Sequence, residues 1–219
     1  QITGGGRDHP AVGHTGIGAD PWEQSMSRNQ HPRGFTLLEI AIVLAGAVCG
    51  TREWIDNVLL PFHRNTGPTL SAFNAWVVLK GLETLDLRVK RQSENCLKVG
   101  QFLEGRVNRI NHPGLPSHPQ HNLAMQQMDA CGSIFSFEMT DRKEAHALLD
   151  ALKLIDISNN IGDSRSLMCH NASTTHYSVS AEARAEMGVT EGMLRLNVGL
   201  EDPLDLIDDL DQALKSIGR

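Results

Sequence analysis

The chain has 219 residues, 40% of them hydrophobic, with 20 basic against 26 acidic side chains and a formal net charge of -6. That length supports one ordinary domain with a real core, or a domain plus a loose extension. The mild acidity argues against nucleic acid as a partner, since phosphate binding requires a basic face, and the four scattered cysteines, Cys49, Cys96, Cys131 and Cys169, match neither a disulfide framework nor zinc-ligand spacing, which fits reduced thiols in the cytoplasm.

From Gln1 to about Pro32 glycine, proline, histidine and polar residues dominate, and no apolar run keeps a strand or helix period, so a poorly ordered extension is expected. Phe35 to Gly50 is apolar except for Thr36 and Glu39, but Arg52 and Glu53 follow at once. It falls short of the roughly 20 residues of a membrane-spanning helix. After Pro68 a long proline-free stretch favours helix, with Leu79, Leu82 and Leu85 or Leu87 on one face, continued by Cys96, Val99, Phe102 and Leu103. His112 to His121 is a proline-rich loop, and Gly132 to Met139 alternates like a strand. A helix capped by Asp141 follows, then strands at Leu154 to Ser158 and near Leu167, and a short helix from Ser180 closed by Gly188. Met193 to Gly199 predicts a fourth strand. The last helix has Asp202 as cap, Pro203 in its first position and Lys215 in its last turn. Leu204, Ile207, Leu210, Leu214 and Ile217 form its stripe, and Gly218 ends it. Strands alternating with helices predict an α/β fold, a small sheet covered by helices.

The polar loop Asn159 to His176 is the richest place for chemistry. Asp163, His170 and His176 with Ser164, Ser166, Ser173 and Thr174 contain the residue types of a hydrolase triad, but no Gly-x-Ser-x-Gly elbow is present. A loop that satisfies its own backbone through these side chains is the default reading. Arg195 stands between Leu194 and Leu196 and points to the opposite face of its strand. On a solvent face it means little; in a cleft its planar fork suits a carboxylate. Periodicity leaves both open. His112, His118 and His121 are interrupted by Pro113, Pro116 and Pro119 and read as loop histidines rather than metal ligands, and Leu123, Met125 and Met128 read as core.

Several stretches together carry a resemblance: LAGAVCG, LPFHRNTGPTLSAFNAWVVLKGLETLDLR, HPGLPSHPQHNLA with GSIFSFEM, NNIGDSRSLMCH with ASTTH, and LRLNVGLEDPLDLIDDLDQAL. In this order, over about four-fifths of the chain, they resemble the pyridoxal-phosphate enzymes of cysteine and methionine metabolism, the trans-sulfuration family, in its O-succinylhomoserine sulfhydrylase branch. The resemblance implies a fold of the aspartate-aminotransferase type (fold type I). Residues 1–42 would be an unmatched extension, 43–70 a remnant of the cofactor-binding large domain, and 71–219 the interdomain helix and small C-terminal domain. It implies that Arg195, in the family's R-L-x-V-G-x-E-D motif, holds the substrate α-carboxylate, and that Asn160 lies beside cofactor and substrate. Asn171 stands where the family usually has proline, with only a local effect expected.

The family's cofactor is pyridoxal 5'-phosphate, attached through a lysine in a Ser-x-Thr-Lys motif ahead of the stretch resembled by LAGAVCG. The lysines here are Lys80, Lys90, Lys98, Lys143, Lys153 and Lys215, all after that stretch. No catalytic residue is therefore assigned, and the absence argues against cofactor binding and against activity of this chain alone. The resemblance further implies an amino-acid substrate, homo-oligomers, and the possibility of pairing with an intact homologue. Separately, Arg33 to Glu39, RGFTLLE, resembles a type IV prepilin processing site, with cleavage after Gly34. The short apolar run behind it favours a junction or truncated homologue in the cytoplasm, with an inner-membrane pilin-like protein as the alternative.

Overall fold

The structure, a computed structural model, describes residues 48–219. The expected extension and the prepilin-like segment lie outside the described residues. Arg52–Trp54 (α1), a π-helical turn Ile55–Leu59, and Leu60–Thr66 (α2) follow directly on one another, with Thr51 Oγ1 accepting the Trp54 N–H at the start. Pro61 accounts for the wide turn: it has no N–H for the carbonyl four residues back and its ring crowds that carbonyl. Gly67 ends the segment at φ 71°, a conformation that a side chain disfavours.

Where one long helix was expected there are two. Ala72–Glu83 (α3), capped by Ser71 Oγ on the Asn74 N–H, and Leu85–Leu103 (α4) are separated at Thr84, whose φ of -111° and ψ of 6° leave the helical region. β-Branched Thr84 is a weak helix former. The Arg88 side chain ties the break from above, donating to Thr84 Oγ1 and to the Gly81 carbonyl. The expected single stripe divides with it. Cys96, Val99 and Leu103 are in the core, whereas Leu79, Leu82, Leu85 and Leu87 are exposed.

Five strands form one sheet: Arg109–Asn111 (β1), Ile134–Glu138 (β2), Asp156–Ile157 (β3), Leu167–His170 (β4) and Met193–Asn197 (β5), in the order β1-β2-β5-β4-β3. All neighbours are antiparallel except β3 and β4. Strand β1 was not expected; it is a short edge with only Ile110 turned towards the core. Strand β3 is shorter than the predicted Leu154 to Ser158, because the N–H groups of Lys153, Leu154 and Ile155 are taken by the Asp209 carboxylate at 2.8–2.9 Å before the ladder begins.

Phe135, Phe137, Leu194, Leu196 and Met168 line one sheet face. Against it pack α4, Arg142–Ala151 (α6) and Pro203–Ser216 (α8), bringing Leu148, Leu149, Leu206, Leu210 and Leu214. The caps of the last two helices are the predicted ones, Asp141 accepting from Glu144 N–H and Asp202 from Leu204 N–H. The stripe of α8 is rotated from the expected one. Leu204 is 67% exposed, while Leu206, Asp209 and Ala213 turn inward. Asp209 has to face in to reach the three N–H groups ahead of β3. The opposite sheet face carries Ser136, Arg195 and Cys169 and is flanked by the short helix His121–Gln127 (α5). Leu123, Met125 and Met128 are exposed rather than core. Between β4 and β5 come a 3-10 turn, Asn171–Ser173, and Ala181–Glu186 (α7).

Candidate functional site

On that opposite face lies a cavity of about 560 Å³, lined among others by Asn111, His118, Leu123, Ser136, Asn171 and Arg195. The register explains the grouping. Asn111 faces Ser136, Ser136 faces Arg195, and Arg195 faces Cys169, so a single row across four strands presents these side chains to one face. Arg195 is the centre of the row. Its Nη2 donates to the Asn159 carbonyl at 2.7 Å, while its Nε is buried and has no partner. Of the two residues the sequence singled out, Arg195 therefore lines the cavity. Asn160 is the next residue after the carbonyl that holds Arg195; it is half-buried, and its N–H donates to Ser158 Oγ.

The loop carrying Asn159 and Asn160 is fastened from behind. Gln92 Nε2 on α4 donates to the Asp163 carbonyl at 2.6 Å, and Asn95 Nδ2 donates to the carbonyls of Gly199 and Glu201. Glu201 accepts from both the N–H and the Oγ of Ser166, and Ser166 Oγ in turn accepts from Gly199 N–H. Asn197 Oδ1 accepts the Gly162 N–H at 3.1 Å. Gly199 cannot be anything larger, since a Cβ there would sit 2.5 Å from the carbonyl carbon of Arg165 and the oxygen of Ser164. Sequence reasoning missed these supports. Each joins residues far apart in the chain and no local pattern marks them.

The triad residues do not assemble. Asp163 Oδ1 accepts from Arg165 N–H and Ser164 Oγ within its own loop. His170 Nε2 donates to the Glu191 carbonyl at 2.8 Å, so its Nδ1 accepts from Ser173 Oγ at 2.7 Å, and its ring meets His146 edge-on against α6. Burial holds its pKa below the usual histidine range. His176 contacts Thr175 instead. The loop histidines each order their own backbone. His112 Nδ1 accepts from Gly114 N–H, and His121 Nδ1 meets the Pro113 carbonyl. His118 Nδ1 accepts from Gln120 N–H, which leaves its Nε2 to donate to Asn111 Oδ1 at 2.8 Å. Beside Arg195, burial pushes the Cys169 thiol up, against the opposing pull of the guanidinium.

All six lysines are among the described residues. All six are exposed and none lines this cavity. The site thus offers a guanidinium, amide and hydroxyl groups and an imidazole, and no amine that could hold a carbonyl covalently.

A family model for Cys/Met metabolism PLP-dependent enzymes matches residues 41–215. The O-succinylhomoserine sulfhydrylase of Mycobacterium tuberculosis is 47% identical over 179 residues, covering 78% of this chain and 44% of that protein. The L-methionine gamma-lyase of Treponema denticola is 41% identical, covering 80% and 45%. Among solved structures, cystathionine gamma synthase from Xanthomonas oryzae in complex with aminoacrylate and cysteine aligns with a TM-score of 0.70 at 36% identity, covering 78% of this chain and 44% of that one. A Campylobacter jejuni structure assigned as an O-acetylhomoserine (thiol)-lyase and carrying a pyridoxyl-lysine phosphate aligns equally well, at 37% identity over 76% and 41%. The chain spans about half the length, or somewhat less, of each of these relatives.

Proposed function

This chain belongs to the family of Cys/Met metabolism PLP-dependent enzymes, and on that premise we propose that it carries the part of such an enzyme that grips an amino-acid substrate by its carboxylate. Residues 71–219 would be the interdomain helix and small domain, and 43–70 a piece of the large one. Arg195 is the carboxylate clamp. The observation that carries this is its guanidinium: one nitrogen fixed by the Asn159 carbonyl, another buried without a partner, in a cavity on the open sheet face. A carboxylate completes such a fork with charge-assisted hydrogen bonds. Asn160, one residue from the fixing carbonyl, borders the same substrate.

Pyridoxal phosphate, when bound, supplies the electron sink of the family's chemistry. The residues here do not fit its lysine attachment, because every lysine is exposed and outside the cavity. The chain alone is therefore proposed to bind substrate without turning it over. The substrate class follows the sulfhydrylase relatives: an activated homoserine ester such as O-succinylhomoserine, exchanged for sulfide in a full-length enzyme. Cytoplasmic placement accompanies that reading, and among the described residues no helix is long and apolar enough to cross a membrane. The relatives give the pilin-like alternative no support.

A binding titration tests the clamp. O-Succinyl-L-homoserine added to the full chain should bind, and Arg195→Gln should weaken it at least about tenfold, the worth of a hydrogen-bonded charge pair. Equal binding by the variant would remove the clamp.

A further inference from the structure

Asn171 opens the 3-10 turn after β4. Its surroundings give it more to do. The residue is 8% exposed, it lines the cavity of Arg195, and its Oδ1 is buried with no hydrogen-bond partner. The turn it begins does not supply one. The N–H groups of Thr174 and His176 and the Oγ1 of Thr175 all go to the Asn171 backbone carbonyl. A buried acceptor left unmade is costly, about 1–3 kcal/mol in general, and such groups usually have a partner.

The strand register places it relative to the clamp. Cys169 pairs with Arg195 and His170 with Leu194, where β4 ends, and Asn171 opens the 3-10 turn that follows at once, lining the same cavity as Arg195. His170 turns to the helix-covered face, where it meets His146, whereas Asn171 lines the cavity on the other face together with Arg195. One cavity thus holds an unpartnered donor, Arg195 Nε, and an unpartnered acceptor, Asn171 Oδ1. A plain carboxylate completes only the first. An α-amino acid carries an acceptor and a donor on one carbon and completes both.

Resting on the Arg195 reading above, we propose that Asn171 is a specificity-determining residue: its Oδ1 accepts a hydrogen bond from the ligand's ammonium while Arg195 holds the carboxylate, so the site selects α-amino acids over the corresponding plain acids. The asparagine amide supplies the side-chain acceptor that this role needs.

The test is an NMR amide-resonance titration of the full chain with L-methionine and with its deaminated counterpart, which keeps the carboxylate and thioether. L-Methionine should bind about tenfold more tightly, as expected for one hydrogen bond to a charged group. Asn171→Ala should bind both acids equally, at the affinity the unaltered chain has for the deaminated one. Asn171→Asp, which keeps the acceptor and adds a charge, should retain or enlarge the preference. A preference that survives in Asn171→Ala, or its absence in the unaltered chain, overturns the proposal. So does a loss of both acids in Asn171→Asp, which would mean that the amide donates to the carboxylate. Arg195→Gln separates this from the underlying reading. It should weaken both acids alike; if it weakens neither, or if neither acid binds at all, the clamp itself is wrong and the proposal falls with it. Dispersed amide spectra of each variant establish that it is folded.

Discussion

Asp209 shows how one side chain can set the length of a strand. Its two oxygens accept the N–H groups of Lys153, Leu154 and Ile155 together with Gln212 Nε2, all from a residue 5% exposed. Asp209→Ala would leave three N–H groups without their partner and should cost about 3 kcal/mol in urea unfolding; Asp209→Asn, with one carbonyl oxygen in place of two, should fall between. A second carboxylate links stability to pH. The Arg219 guanidinium holds Glu144 down at about 2, with burial opposing it and Thr140 adding hydrogen bonds. Its folded pKa lies below its unfolded one, so its contribution is complete above the ordinary carboxylate range near 4.5 and is lost as pH falls from there towards 2. The melting temperature of Arg219→Ala should therefore lie below that of the unaltered chain at pH 7, and the gap should close across that acid window. A gap that stays constant would mean that Arg219 acts through its hydrogen bonds to Arg106, Asn108 and Thr140 rather than through the Glu144 charge. Neither role was legible in the sequence, because the partners lie 54 to 75 residues away. Arg195 was half-legible. Alternation said it opposed Leu194 and Leu196, but which face was open depends on where α4, α6 and α8 pack.

At the scale of elements, the helix caps were readable because they are local: Asp141 and Asp202 bond N–H groups three and two residues on. The apolar stripe of α3 misled, because periodicity reports that a face is apolar and says nothing of what covers it. Phe73, Trp76, Leu79 and Leu82 are all exposed, as are Trp54, Val58 and Phe62 in the preceding segment. Apolar rows of this extent are characteristic of interaction surfaces. Burial of this face against another copy or an intact relative is the expected outcome. Trp76→Gln with Leu79→Gln should reduce the sedimentation coefficient of the chain to that of a monomer while leaving the monomer's unfolding free energy in urea within about 0.5 kcal/mol, since neither residue is in the core. An unchanged sedimentation coefficient would show that α3 takes no part in association. Strand β1 went unseen for the opposite reason. With three residues and polar neighbours on both sides of Ile110, it has no periodic signal of its own and exists because β2 offers it an edge.

For the molecule as a whole, the family and the helix-covered sheet were legible from motifs that run in order over most of the chain, and the comparisons place it in that family. Less legible was the way the site is distributed. Arg195 on β5, the loop that fixes it and the helix that fastens the loop come from three separate stretches, joined by Gln92, Asn95, Ser166 and Glu201. All six lysines lie exposed, away from a cavity that otherwise has the groups to hold a substrate. That separation of grip from chemistry is the central claim, and one measurement addresses it directly. The full chain is incubated with pyridoxal phosphate, reduced with borohydride, and examined by absorbance and by peptide mass mapping. Only sparse labelling spread over surface lysines is expected, with no stoichiometric adduct. A single lysine carrying one reduced cofactor per chain would contradict the account.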